Sequence, residues 1–230
     1  MTFIVAHRGA SRQAHENTLE SFVAAADMGA DMVELDVRRT ADGKLVPFHD
    51  PGLSKYRHRP LVQDLTYAKM QSLCARKKFR VPMLEEVFKA LTGRVLLDIE
   101  LKIPGCESET ISLARTYFPV DRFMVSSFDS VILDTVKSID PAVQISLILA
   151  NNTDLKTVET SPAEVFAPAH LLFAANRAFF TQMKQQGKKI AVWTVDGRAD
   201  LLSLLIDPLV DAVITNCPDK ALELRKRLQS

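Results

Sequence analysis

His7, Arg8, Glu34, Asp36, His49, Glu100 and Lys102 are the residues of this chain whose types and spacing could do chemistry. In Met32-Val-Glu-Leu-Asp-Val-Arg38, the two-residue alternation of a strand puts Glu34 and Asp36 on one face and Val33, Leu35 and Val37 on the other. In Val95-Leu-Leu-Asp-Ile-Glu-Leu-Lys102 the same parity aligns Leu96, Asp98, Glu100 and Lys102. Carboxylates gathered on an inward face are costly unless they are paired or hold a cation. Three of them around one point suit a hard divalent ion such as Mg2+ or Ca2+. An ion-pair network with Arg38 or Lys102 is the alternative for either strand alone. His7 and His49 form a candidate proton-transfer pair, because histidine exchanges protons near neutral pH. Asp50 can orient the His49 ring or shape the turn that follows it. Arg8 offers a planar fork and Lys102 a point charge, both suited to phosphate, and Arg8 can also pair with Glu16 or Asp36. Together these groups make an electrostatic and proton-transfer kit for chemistry at a phosphate centre. His15, His58 and His170 have no such setting and read as structural.

The elements that must position these groups are short apolar runs alternating with helical patterns. Runs rich in β-branched residues predict strands over 3–6, 32–38, 44–48, 95–101, 122–127, 144–149, 163–167, 190–194 and 212–215. Helices are expected over 19–28, 84–91, 108–117, 130–139, 177–186, 199–206 and 219–228. In the first helix Leu19, Phe22, Val23 and Ala26 share a face; Asn17 with Glu20 is the expected cap, and Gly29 the stop. Pro218 sits where the last helix should begin. The stretch 50–80 is the least regular, and its basic cluster Lys55, Arg57, His58 and Arg59 reads as a solvated loop or as an excursion carrying substrate contacts, composition favouring the loop.

Repeated strand–helix units predict a parallel sheet with helical crossovers. About eight strands fit a closed (β/α)8 TIM barrel in the α/β class, formed as a single domain over residues 1–230, with a doubly wound open sheet as the alternative. In a barrel, His7 and Arg8 follow the first strand, Glu34 and Asp36 end the second, His49 follows the third, and Glu100 and Lys102 end the fourth. All would then meet at the face where barrel enzymes place their chemistry.

Hydrophobic residues at 47% and charged residues at 25% exclude a disordered chain. Lys and Arg number 29 against 28 Asp and Glu, so no global field points to nucleic acid or anionic lipid. Cys74, Cys106 and Cys217 form no CxxC pair, which argues against a disulfide framework or a thiolate zinc site. The N-terminus lacks the pattern of a signal peptide and no apolar run approaches a membrane span of about 20 residues. The expectation is a cytoplasmic protein with no stable membrane association.

Five linked elements then show a family pattern: His7-Arg8-Gly9, Glu16-Asn17-Thr18, Glu34-Leu-Asp36, Thr40-Ala-Asp42-Gly43 and His49-Asp50. Their order and spacing resemble the N-terminal signature of glycerophosphodiester phosphodiesterases. Glu100-Leu-Lys102, Trp193-Thr194-Val195 and the run from Val213 to Pro218 resemble later motifs of the same family. The resemblance implies a TIM barrel that uses a divalent cation, Mg2+, Ca2+ or Mn2+, to convert glycerophosphodiesters such as glycerophosphocholine and glycerophosphoethanolamine into sn-glycerol 3-phosphate and an alcohol. It implies Glu34, Asp36 and Glu100 as metal ligands and His7 and His49 as the acid–base pair, with Arg8 and Lys102 on the phosphate. Glu16 would steady Arg8 or touch the metal. It also implies attack by the glycerol 2-hydroxyl, a tethered nucleophile, through a cyclic phosphate that water opens. Phe128 and Trp193, beyond two strand ends, are candidate walls for the glycerol or the head group, or ordinary rim packing.

His15 stands where the family usually has proline. Asn216 replaces an acidic residue common after the final Thr, which puts a supporting contact in doubt. The short segment between His49 and the fourth strand points to the compact bacterial cytoplasmic type, a monomer or homodimer. The rival readings are a lysophospholipase D or glycerophosphoinositol phosphodiesterase on the same barrel and, more distantly, a non-catalytic barrel that binds phosphodiesters.

Overall fold

The structure, a computed structural model, describes residues 1–229. Its strands are β1 (Phe3–Ala6), β2 (Met32–Arg39), β3 (Leu45–Pro47), β4 (Leu96–Leu101), β5 (Phe123–Ser127), β6 (Gln144–Leu149), β7 (Val165–Pro168), β8 (Lys189–Val192) and β9 (Ala212–Thr215). Its helices are α1 (Leu19–Asp27), α2 (Tyr67–Ala75), α3 (Leu84–Leu91), α4 (Glu107–Tyr117), α5 (Ser130–Ile139), α6 (Leu155–Val158), α7 (His170–Ala175), α8 (Arg177–Gln185), α9 (Arg198–Leu205) and α10 (Pro218–Leu228). Every strand pair but β2–β3 is parallel, and pairing of β1 with both β9 and β2 closes an eight-stranded barrel. The expected (β/α)8 class is therefore the observed one, and the open sheet is excluded by that closure.

The alternation read from the sequence sorts side chains into two layers. Val33, Leu35 and Val37 of β2, with Leu97, Ile99 and Leu101 of β4, are fully or nearly fully buried in the main core between barrel and helices. That core also takes Leu84, Val87, Phe88 and Leu91, one face of α3. A smaller cluster of Val5, Met124, Ile148, Val165, Ala167, Ala191 and Ile214 fills the barrel interior. Above it, the same inward parity carries Glu34, Asp36, Asp98 and Glu100.

Three expectations need correction. The strand before His49 is not a barrel strand. Thr40 ties the turn, its backbone N–H donating to Lys44 O at 2.9 Å and its hydroxyl accepting from Lys44 N at 3.0 Å. The chain therefore returns antiparallel along β2, with Val37 opposite Pro47 and Arg39 opposite Leu45. His49 reaches the mouth on this return strand.

The stretch 50–80 is more than a solvated loop. It contains α2 and, with β3, builds a second core of Val46, Phe48, Leu53, Val62, Leu65, Met70, Leu73, Cys74 and Val81. Its neck is an antiparallel bridge between Gly52 and Leu61, where a side chain at Gly52 would lie 2.7 Å from Pro60 O. The apolar residues come singly among charged ones, so no sequence periodicity announces this core. The short helices α6 and α7 are likewise additions, each too brief for a helical repeat to show.

Finally, Thr18 caps α1, not Asn17. The Thr18 hydroxyl accepts from Ser21 N at 3.3 Å while Thr18 N donates to the Ser21 hydroxyl at 3.2 Å, a reciprocal capping box. Asn17 is thereby free for the site.

Candidate active site

The register of β2 against β4 builds the centre. Glu34 pairs with Asp98 and Asp36 with Glu100, so four inward carboxyls lie in two adjacent layers. Glu34, Asp36 and Glu100 each offer an oxygen within 4.8 Å of the others, and all three are buried. Asp98 lies outside that triad and accepts a 2.6 Å hydrogen bond from the Ser126 hydroxyl. Burial first, then the neighbouring Asp36, pushes Glu34 well above its ordinary range and Glu100 up to about 8. Burial opposed by the Ser126 bond leaves Asp98 at about 7. Burial also works against the Asp36 carboxylate, but Arg8 and then Lys102 outweigh it and hold its pKa below the usual value.

The ion-pair reading of the carboxylates is met by Arg8 and Lys102. Arg8 Nε stands 3.2 Å from Asp36 Oδ2, Arg8 Nη1 3.3 Å from Glu16 Oε2, and Lys102 Nζ 3.4 Å from Asp36 Oδ1 and in contact with Glu100. These pairs leave Glu34 Oε1 and Asp36 Oδ1 buried with no hydrogen bond. Two buried oxygens without a hydrogen bond, in a cluster of three hard donors, fit a divalent cation. Arg38 takes no part in the network. Its Nε and Nη2 donate to His49 O at 2.9 and 2.7 Å, pinning the backbone of the return strand.

The loop after β1 is shaped around the same point. Arg8 adopts φ +56°, in the left-handed region, and its N–H donates to Glu34 Oε2 at 2.7 Å. Gly9 follows at φ +80°, where a side chain would come within 2.5 Å of the Ser21 backbone; only glycine lets this loop lie against α1. Asn17, also left-handed at φ +57°, donates from Nδ2 to Asp36 Oδ2 at 2.7 Å and accepts from Asp36 N at 3.3 Å. Its role is to aim Asp36, a function hidden in the sequence behind its suitability as a helix cap.

The two histidines are held differently. His7 Nδ1 meets Asn216 Oδ1 at 2.8 Å, and the amide orientation is fixed because Asn216 Nδ2 donates to Asp196 Oδ2 at 2.8 Å and Ser11 donates to Oδ1 at 2.9 Å. With Oδ1 as acceptor, His7 carries its proton on Nδ1 and presents a lone pair at Nε2. Burial, then Arg8, lowers the His7 pKa despite the Asn216 bond. His49 Nδ1 instead meets Asp50 Oδ1 at 2.8 Å. The supporting contact in doubt at Asn216 is therefore present, and the acidic group stands one hydrogen bond further from His7, at Asp196. Nothing in the spacing of Asp196 marks it.

Phe128 and Trp193 do meet, edge to face with centroids 5.6 Å apart. Trp193 is anchored by Nε1 donating to Ala167 O at 2.7 Å, and Lys102 Nζ lies 5.4 Å from the Phe128 centroid. His7, Arg8, Glu34, His49, Glu100 and Lys102 line one side of a cleft, with Phe128, Ile148, Ala167, Trp193 and Ile214 on the other. His15 stays structural, stacked on Phe79 at 3.8 Å. Cys74, Cys106 and Cys217 are buried and free. No described helix is long and apolar enough to cross a membrane.

Comparison with known proteins adds relatives to this geometry. A glycerophosphodiester phosphodiesterase of Caldanaerobacter subterraneus is 31% identical over 240 aligned residues, covering 98% of both chains. One from Bacillus altitudinis is 29% identical over the whole of both. Among solved structures, an Oleispira antarctica phosphodiesterase in complex with the product sn-glycerol-3-phosphate superposes with TM-score 0.85 at 25% identity, covering 100% of this chain and 98% of that one. One from Thermotoga maritima gives TM-score 0.84 at 24% identity, covering 98% and 99%. The model of the glycerophosphoryl diester phosphodiesterase family matches residues 7–220, from the first candidate histidine to the start of α10, and the chain belongs to that family.

Proposed function

We propose that the chain hydrolyses glycerophosphodiesters, glycerophosphocholine and glycerophosphoethanolamine among them, to sn-glycerol 3-phosphate and an alcohol. The observation that carries this reading is one cleft in which Glu34 and Glu100, two of a buried carboxylate triad completed by Asp36, face two histidines and two fixed cations. Glu34, Asp36 and Glu100 would hold Mg2+, Ca2+ or Mn2+, all of which accept oxygen donors. Bound there, such an ion offsets negative charge on the phosphoryl oxygens.

The chain's own residues do the rest. Arg8 and Lys102 bind the phosphate, and Glu16 positions Arg8. His7, neutral and with its lone pair at Nε2, takes the proton of the glycerol 2-hydroxyl as that oxygen bonds to phosphorus. His49, whose imidazolium Asp50 supports, gives a proton to the departing alcohol as the P–O bond breaks. The product of this step is a cyclic phosphate. The pair then exchanges roles: His49 takes a proton from water as it attacks, and His7 returns one to the 2-oxygen. Phe128 and Trp193 exclude water and wall the carbon skeleton. Because these groups address the glycerol phosphate half, alcohols of several kinds are admitted. A reducing, cytoplasmic setting belongs to the same proposal, supported by three free, buried thiols.

The test is release of glycerol 3-phosphate from glycerophosphocholine by metal-stripped protein, with Mg2+, Ca2+ or Mn2+ restored one at a time. Ion-dependent release is expected; folded protein that releases nothing with any ion overturns the reading. His7→Ala and His49→Ala should keep ion binding and lose about 10^2- to 10^4-fold in turnover. A wild-type rate in either variant sinks the acid–base assignment.

A further inference from the structure

The charge of this chain is distributed very unevenly. Residues 50–80 hold eight of its 29 Lys and Arg but two of its 28 Asp and Glu, Asp50 and Asp64, so this excursion carries +6 in a chain whose total is +1. Two of the eight are paired outside the excursion, Lys55 with Glu16 at 2.8 Å and Arg80 with Glu86 at 2.7 Å. Arg57, Arg59, Lys69, Arg76, Lys77 and Lys78 are exposed and have no acidic partner among the described residues.

This field stands at the lip of the cleft. One arm leaves directly from His49 and Asp50, and its Lys55 is bonded to Glu16, which is bonded in turn to Arg8. The other arm ends at Phe79, whose ring stacks on His15, the neighbour of Glu16. Tyr56 ties the two, its hydroxyl 3.2 Å from His15 Nε2 and its ring 5.1 Å from Phe79. Besides Arg8 and Asn17 in the site, the non-glycine residues with left-handed backbone among the described residues are Arg57 and Lys78, one on each arm. That conformation costs about 1–2 kcal/mol where glycine would be unstrained. Both positions keep a cation instead.

We propose that the excursion selects among glycerophosphodiesters by the charge of the alcohol half, favouring alcohols that carry a further anionic group over cationic ones such as choline. This rests on the hydrolytic reading of the site and deepens it. The glycerol phosphate half is held by Arg8, so the alcohol half leaves toward the lip, where it enters the field of the excursion's exposed cations. A diester with a second phosphate is drawn in and held there; a quaternary ammonium is repelled. The field is long-ranged only at low salt, with a Debye length of about 30 Å at 10 mM and about 3 Å at 1 M.

The experiment compares kcat/KM, with the activating ion bound, for glycerophosphocholine, glycerophosphoglycerol and bis(glycerophospho)glycerol, whose alcohol halves carry one positive, no and one negative charge. At about 10 mM salt the last should exceed the first by about tenfold or more, beyond the twofold counting factor for its two equivalent ends, and 1 M salt should collapse the ladder. Arg59→Glu with Arg76→Glu and Lys77→Glu should flatten or invert it, and the corresponding Gln variants should flatten it halfway. Ratios between substrates within one variant do not depend on how much protein folds. A wild-type ladder that is flat or favours choline overturns the proposal, as does one the variants leave unchanged. If the ladder is unmoved while the same substitutions abolish binding to phosphatidylglycerol vesicles, the patch is a lipid-surface contact and the proposal fails. Hydrolysis of none of the three with any ion removes the activity itself, a different result from hydrolysis of all three without charge preference.

Discussion

The two sides of the barrel mouth differ in kind. The side built by β1, β2, the β3 return strand and β4 presents His7, Arg8, Glu34, His49, Glu100 and Lys102 to the cleft. The side built by β5 to β9 presents Ser126, Phe128, Ile148, Ala167, Trp193 and Ile214, none of them charged. On the first side every group leans on another: Asn17 on Asp36, Arg38 on the His49 backbone, Asn216 and Asp196 on His7. On the second, contacts are packing, an anchoring bond from Trp193 to Ala167 O and one from Ser126 to Asp98. One side is specified residue by residue because a shifted charge or proton donor fails; the other needs only shape. The difference predicts steep losses on the charged side and shallow ones opposite.

The steepest is expected from Glu34→Gln. Glu34 Oε1 has no protein partner, so the substitution keeps the Arg8 N–H contact but removes a charge from the triad. Loss of ion binding and about 10^3-fold in turnover should follow, the equivalent of several kcal/mol of charge stabilisation. The wild-type protein should also release protons as it takes up the ion, because burial and Asp36 push Glu100 up to about 8, and it holds a proton near neutral pH, while the same two causes move Glu34 in the same direction. The sign follows: below about 8 a proton on Glu100 competes with the cation, so ion affinity rises with pH from 6 to 8. Calorimetry in buffers of different protonation enthalpy reads both quantities, and uptake with no proton release would place the ion elsewhere.

Asn216 comes next, and it tests how far the specification extends. Asn216→Ala leaves His7 without its acceptor and should cost about 10- to 100-fold in kcat/KM, in the range of lost supporting contacts. Asn216→Asp separates positioning from packing. The His7 pKa lies below its ordinary value through burial and Arg8, and a carboxylate partner raises it. A base must be neutral to act, so the acidic limb of kcat/KM should move to higher pH in the Asp variant. An unmoved limb would mean that His7 is not the group titrating there.

The same contrast explains what could be read from the chain. Carboxylate pairs on alternating strands, histidines after strand ends and the Gly9 turn are local patterns, so the barrel, the triad and both histidines were legible. Asp196 and Asn216 act across 189 or more positions of chain on His7, the residue that follows β1, through register that no local spacing encodes. Asn17 was misread because one residue type serves two roles, and the propensity for capping is the more general. The core of the 50–80 excursion escaped because its apolar residues are scattered over turns and one short helix, with no period to sum.

On the neutral side, Phe128→Ala should raise KM less than about tenfold and leave kcat within about twofold, since removing a wall affects bound ground state and transition state alike. Trp193→Phe should do less still. A kcat loss above about 100-fold at either would mean that the wall aligns the reacting oxygens and that the two sides are not separable.

The smallest effect should fall on Ser146. It pairs in register with Ser126 and so shares the barrel's inner face, but while Ser126 donates to Asp98, the Ser146 hydroxyl is buried with no hydrogen bond. A buried hydroxyl without a partner is destabilising, and removing it relieves that cost while opening a void of one atom. Ser146→Ala should therefore leave kcat/KM unchanged and raise stability by up to about 1 kcal/mol, or about 2–4 °C in Tm for a chain of this size. The same substitution at Ser126 should move the other way, because Asp98 then loses its donor. If Ser146→Ala instead lowers Tm or turnover, its hydroxyl is satisfied by water or by substrate, and the polar lining of the mouth reaches one strand further than the charged side does.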